Sequence, residues 1–255
     1  MAGTKKKTFW RWAGALGIVL TVAVAGIARH SMADWRTASR ESAGIAPDPA
    51  EHSEAIVQVY AARAYSWRGV FGVHSWIAVK PTDALEFTVY EVMGWRVRYG
   101  SLAVRISNRP ADGRWFDAVP DLLADIRGPG VDDVIKRIDA AAKSYPYMNE
   151  YQVWPGPNSN TFIAHVARAA PELKLDLPPT AIGKDYIPGG EFVAKTPSGT
   201  GYQVSLFGLL GVMASAEEGF EVNLLGLTFG IDPKDWAIKL PLAGTIGGGR
   251  NGGAS

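Results

Sequence analysis

The segment Gly156-Pro157-Asn158-Ser159-Asn160-Thr161-Phe162 constrains this chain more than any other. A Pro-rich turn runs directly into an apolar helical stretch that Pro171 closes, so the spacing predicts a helix over 160–170. Ser159 then sits at a helix N-terminus. There, backbone N–H groups and the positive end of the helix dipole favour a nucleophile or an anion. Far upstream, His74 lies in an apolar run rich in β-branched residues, Val70 to Val79. A histidine on a strand and a hydroxyl at a helix start are two parts of a hydrolytic site.

Composition narrows the chemistry. The chain has 255 residues, and 47% of them are hydrophobic, enough for one sizeable domain with accessory segments. A formal net charge of +1 supplies no broad field for nucleic acid, and no nucleic-acid partner is expected. There are no cysteines, which removes disulfides, thiolate zinc sites and cysteine catalysis together. No two histidines have zinc-ligand spacing, and neither a phosphate-binding nor a dinucleotide loop is present, so no metal and no cofactor is expected.

The N-terminus reads as a membrane segment. Residues 1–11 are basic and expected in the cytoplasm, with Lys5, Lys6, Lys7 and Arg11 ahead of an apolar run over 12–28. At about 1.5 Å per residue this run just spans a hydrocarbon core of about 30 Å. A retained anchor and a cleaved signal peptide both fit, since Ala23-Val24-Ala25 and Ser31-Met32-Ala33 resemble small-residue cleavage sites. Either reading places the main domain outside the cytoplasm, at a bacterial inner membrane and facing the periplasm or exterior.

Residues 29–54 read as a linker, 55–242 as the main domain, and 243–255 as a flexible tail. Strands are expected over 55–64, over 72–80 with His74, Trp76 and Ala78 on one face, and over 86–93 after a turn at Pro81-Thr82-Asp83. One or two more strands are expected over 95–106. Helices are expected over 116–127, where Val119, Leu122, Leu123 and Ile126 form a stripe, and over 132–144. An irregular stretch follows from Pro178 to Gly201. Residues 202–231 then read as a Gly-rich apolar hairpin, expected either to complete the sheet or to lie against the membrane.

The candidate site combines these parts. Ser159 is the nucleophile and His74 the base. A turn centred near Asp83 brings Glu91 roughly opposite His74 to orient the ring. Asn158 and Asn160 offer amide donors to a substrate, and Trp76 and Trp154 are expected to contact it. The competing reading makes Asn158 and Ser159 an ordinary capping segment and His74 a buried, hydrogen-bonded histidine. The elbow Gly-x-Ser-x-Gly is not met around Ser159.

Four segments carry a resemblance. Phe71-Gly72-Val73-His74-Ser75-Trp76, Tyr90-Glu91-Val92-Met93-Gly94-Trp95, Gly156 to Phe162, and Glu218 to Gly226 resemble a bacterial domain-of-unknown-function family, number 3750, from about Val57 to Leu240. More distantly, Asn-Ser-Asn-x-Phe at a helix start is similar to the Asn-Cys-Asn-x-Phe of permuted papain-like peptidases, relatives of the NlpC/P60 cell-wall hydrolases. That likeness implies His74 as base and Ser159 at the position of the nucleophilic cysteine. A serine hydroxyl, unlike a thiol, depends wholly on base activation.

The expected fold is α+β: an antiparallel sheet with packed helices in permuted papain-like order, beyond an N-terminal membrane segment. The expected function is hydrolysis of amide or ester bonds in the envelope. Its rivals are an inactive relative that binds an envelope peptide, peptidoglycan fragment or lipid, and a structural membrane-associated partner protein.

Overall fold

The structure, a computed structural model, describes residues 34–248. The basic segment 1–11, the apolar run 12–28, the start of the linker and residues 249–255 lie outside the described residues. Among the described residues no helix is long and apolar enough to cross a membrane.

Two antiparallel sheets dominate. The first has five strands in the order β4-β3-β2-β1-β5. These are β1 (Ile56–Arg63), β2 (Val73–Lys80), β3 (Thr88–Val92), β4 (Val104–Asn108) and β5 (Asp121–Arg127). β1 and β2 are near-continuous apolar runs and are buried on both faces, as central strands must be. On one face, Val57, Val59, Ile77, Val79 and Tyr90 meet helices α2 (Val131–Lys143) and α3 (Ser159–Ala169). On the other, Ile56, Tyr60, Trp76, Ala78 and Val89 are covered by irregular chain that carries Ala46, Ala111, Trp115 and Ala118. A short helix, α1 (Gly94–Arg98), joins β3 to β4.

α2 forms where the stripe Val131, Val134, Ile135, Ile138, Ala141 and Ala142 faces the core. Asp132 and Asp133 lie in its positive first turn and Lys143 in its last, each matching the helix dipole.

The second sheet has seven strands in simple sequence order from β6 to β12. They are β6 (Val193–Lys195), β7 (Gly201–Leu206), β8 (Leu210–Ser215), β9 (Gly219–Leu224), β10 (Leu227–Asp232), β11 (Ala237–Leu240) and β12 (Gly244–Gly247). Its polarity is inverted. Gln203, Ser205, Glu221, Asn223, Thr228, Asp232 and Lys239 point inward and are buried. The alternate residues, Lys195 apart, are apolar and exposed or half-exposed, in register from strand to strand. One row runs Val193, Val204, Val212, Val222, Phe229. A second runs Leu206, Leu210, Leu224, Leu227.

Much of the polar inner face is satisfied by charge pairing with the chain that precedes the sheet, whereas the buried Gln203 amide has no hydrogen-bond partner among the described residues. Glu221 accepts from Lys184 Nζ at 2.5 Å and from Lys239 Nζ at 2.8 Å, and Lys239 also reaches Asp176 at 2.7 Å. Asp185 accepts from Asn223 Nδ2 at 2.6 Å. Burial pushes the Glu221 carboxyl up, but the two lysines outweigh it and hold it below the usual range.

The expected α+β fold of permuted papain-like order is therefore corrected: the chain is mostly β, with two antiparallel sheets and few helices. The helix expected over 116–127 is a turn closed by a Trp115–Ala118 bridge, followed by the edge strand β5. Its helix-like spacing comes from a bulge. Val59 pairs with Ala124 and Tyr60 with Leu122, so Leu123 is an extra residue that breaks the period of two. The expected hairpin over 202–231 is four strands, β7 to β10, joined by three successive hairpins within a sheet of its own, and the middle one, β8–β9, is the reversal that was expected. Each expected arm folds back at an apolar residue at positive φ, Phe207 (52°) and Leu225 (55°), followed by Gly208 and Gly226. Leucine and phenylalanine carry no turn signal, so the sequence pattern hid both reversals. The tail expected from residue 243 begins with β12.

Candidate functional site

The start of α3 is a closed knot of hydrogen bonds. Asn158 is the N-cap: its Oδ1 accepts from Asn160 N at 2.9 Å and Thr161 N at 3.2 Å. Thr161 Oγ1 accepts from Asn158 N at 3.1 Å, which completes a capping box. Asn158 Nδ2 donates to the carbonyls of Val153 and Ile182. Asn160 Nδ2 donates to the carbonyls of Val73 and Ile182, and its Oδ1 accepts from Ser75 Oγ at 2.8 Å. Both amides expected to serve a substrate are thus spent in clamping α3 to the start of β2 and to residues 182–183. Gly183, at φ 95°, completes the clamp, since a Cβ there would sit inside the Asn158 side-chain amide.

Ser159 is the first residue of α3 and is 3% exposed. Among the described residues no hydrogen bond joins its hydroxyl to His74. The two lie on different sides of the first sheet. Ser75 faces α3 and bonds Asn160, whereas His74 alternates with it and stacks on Trp76, beneath the irregular cover of the opposite face. The structure does not assemble the Ser159–His74 pair.

It does bring His74 to Glu91. Ile77 pairs with Tyr90, so Glu91 stands across from Trp76 and diagonal to His74, with His74 Nε2 3.4 Å from Glu91 Oε2. Arg109 Nε and a terminal guanidinium nitrogen donate to the two Glu91 oxygens at 3.2 and 3.3 Å. The Arg109 guanidinium carbon lies 5.0 Å from the centre of the Trp76 ring. The Trp115 ring stacks on His74 at 3.6 Å between centroids, and Trp95 stacks on Trp115 in turn. Sequence reasoning missed Arg109 and Trp115, which lie outside the strands on covering chain with no periodicity to betray them.

Charge in this cluster is closed. Burial holds the His74 imidazole below its ordinary value, only partly opposed by Glu91, so the ring is neutral and donates from Nε2. Burial pushes the Glu91 carboxyl up, but the His74 and Arg109 bonds outweigh it and keep it ionised. The pair has the form of a base and its orienting acid. Among the described residues, however, no hydroxyl bonds either ring nitrogen.

Trp76 is fully buried and donates its Nε1–H to the Ala111 carbonyl, so it serves the core. Trp154, beside two cis X-Pro bonds at Pro155 and Pro157, donates its Nε1–H to the Leu225 carbonyl and ties this segment to the β9–β10 turn. Among the described residues no cluster of His, Asp and Glu is arranged to hold a metal ion. An open cleft of about 520 Å³ lies beside Arg109, between residues 46–49 and 108–112. Its acids are already engaged: Asp112 accepts from Ser42 Oγ, Ile45 N and Ala46 N, and Glu86 from Asn108.

Residues 54–186 match the model of a family described as "Protein of unknown function (DUF3750)", which is just over half of the chain. The chain belongs to this family. The match takes in the first sheet, α2, α3 and the His74–Glu91 cluster, and it ends before β6, short of the Leu240 limit expected from the sequence. No curated protein and no solved structure matches the chain.

Proposed function

We propose that this chain is a membrane-associated protein of the bacterial envelope that works by presenting a binding surface rather than by hydrolysis. The observation that carries this reading is the inverted second sheet, whose outward face is apolar from β6 to β12. Exposed contiguous apolar surface on this scale marks an interaction site. The hydroxyl and the imidazole of the hydrolase reading are separated and enclosed, which weighs the same way. The basic segment ahead of the apolar run 12–28 supports an inner-membrane location with the folded domain outside the cytoplasm.

Fluorophosphonate labelling of the full chain tests this choice. The expected result is no covalent adduct. An adduct formed by the wild type and abolished by Ser159→Ala would overturn the binding reading and restore Ser159 as a nucleophile. The one observation that favours hydrolysis is the carboxylate partner of His74.

A further inference from the structure

We infer that the outward face of the seven-stranded sheet docks on a lipid bilayer, with the β7–β8 and β9–β10 turns set deepest. This rests on the membrane-associated reading and names the partner of its surface. Seven strands about 4.8 Å apart, of which the central four, β7 to β10, are six residues long, make a face about 30 Å wide and about 20 Å tall at its centre. Across the registered rows the only charge is Lys195, at the β6 edge.

Three features select lipid over a second copy of the chain. First, the apolar surface does not end with the face. It wraps over one end of the sheet, where the turn residues Phe207 and Leu225 are exposed and Phe192 packs edge-to-face on Phe207. A two-fold sandwich would cover the face and leave that end in water, whereas a bilayer receives both. Second, the opposite end is charged: Lys234 pairs with Glu217 at 2.6 Å, and Glu218 accepts from Ser198 and Ser215. Near that end stand Tyr202 and Trp236, the latter 90% exposed, as amphipathic rings placed where apolar surface gives way to charge. Such rings favour the headgroup level of a membrane. Third, the 17-residue apolar run 12–28 lies six residues ahead of Asp34, where the described residues begin, so a retained run would keep the folded domain within reach of the bilayer. A face-down pose also leaves the edges of β6 and β12, unpaired among the described residues, at the headgroups rather than in hydrocarbon.

The cysteine-free chain makes the test direct. Single variants Val212→Cys, Leu225→Cys and Lys234→Cys of the full chain are labelled with an environment-sensitive fluorophore. They are then reconstituted into phosphatidylethanolamine–phosphatidylglycerol vesicles whose acyl chains carry a quencher. The expected result is strong quenching at 212 and 225 and little at 234, with circular dichroism unchanged in all three. Flotation of the chain with vesicles but no quenching at 212 or 225 would overturn lipid docking and leave the membrane-associated reading standing. Failure of the chain to float at all would overturn both. Cross-linking between copies through position 212, with no quenching there, would assign the face to a second copy and overturn the inference.

Discussion

At the scale of single residues, the two asparagines and the serine between them have different duties. Asn158 caps α3 and donates to two carbonyls, whereas Ser159 makes no bond to His74. Asn158→Ala should therefore cost about 2 kcal/mol, the upper range for a lost cap. Ser159→Ala should cost clearly less, since among the described residues its hydroxyl makes no hydrogen bond for the change to remove. Chemical denaturation of both variants checks this, and equal losses would show Ser159 sharing the cap. The His74–Glu91 pair makes a pH prediction. Both groups have folded-state values held below their ordinary 6.5 and 4.5. Each therefore contributes stability that is present above its unfolded value and lost as pH falls toward its folded one. Through these two groups, stability should be level above pH 6.5, decline below it as His74 of the unfolded chain takes a proton, and decline again below 4.5, while the buried Asp176 carboxyl, pushed up to about 6, works the other way in between. His74→Gln should shrink the first decline, leaving the part that belongs to His165, whose imidazole burial also holds below its ordinary value, and keep the second. An unchanged profile in that variant would mean another group senses the acid.

At the scale of elements, burial of charge decides how the second sheet is held. Glu221 neutralises Lys184 and Lys239, all three being almost wholly buried. Glu221→Ala leaves two buried ammonium groups short of their partner, and the expected cost is about 3–5 kcal/mol, as for breaking a buried pair from one side. A lowered urea midpoint with an unchanged slope would confirm it. The β9–β10 turn offers a gain instead. Leu225 and Gly226 both stand at positive φ, as a two-residue type I′ turn requires, and leucine is poorly suited there. Leu225→Asn should stabilise the fold by about 0.5 kcal/mol, since asparagine tolerates the left-handed region. The same turn shows why element boundaries escaped the sequence. An Asn-Gly step between the arms would have announced a hairpin, whereas Leu-Gly within an apolar run reads as strand. In β5 the bulge at Leu123 likewise turned a period of two into a false helical stripe. α2 was legible because its six buried residues keep the helical period and nothing local competes with it.

At the scale of the whole molecule, the apolar face is the surface whose change should leave folding alone. Val204, Val212 and Phe229 point away from the protein and are half exposed. Replacing each by threonine should alter stability by no more than about 0.5 kcal/mol. The triple variant should nevertheless bind far less of an apolar fluorescent dye than the wild type. A loss of several kcal/mol on substitution would instead place this face inside an assembly.

Local chemistry in the chain determined the alternation of β2, the stripe of α2, the capped start of α3 and the absence of thiol chemistry, because each depends on neighbours within a few residues. It also placed Glu91 near His74, since one short turn between two strands limits their register. Only the tertiary structure decided that His74 and Ser159 lie on different sides of a sheet. That choice depends on which face the helices cover, and alternation alone does not name a side. The inversion of the second sheet was decided at the same level. Its alternation of polar and apolar residues is plain in the chain, but the inward side was set by distant Lys184, Asp185 and Asp176, whose charges needed buried partners more than the apolar rows needed a core.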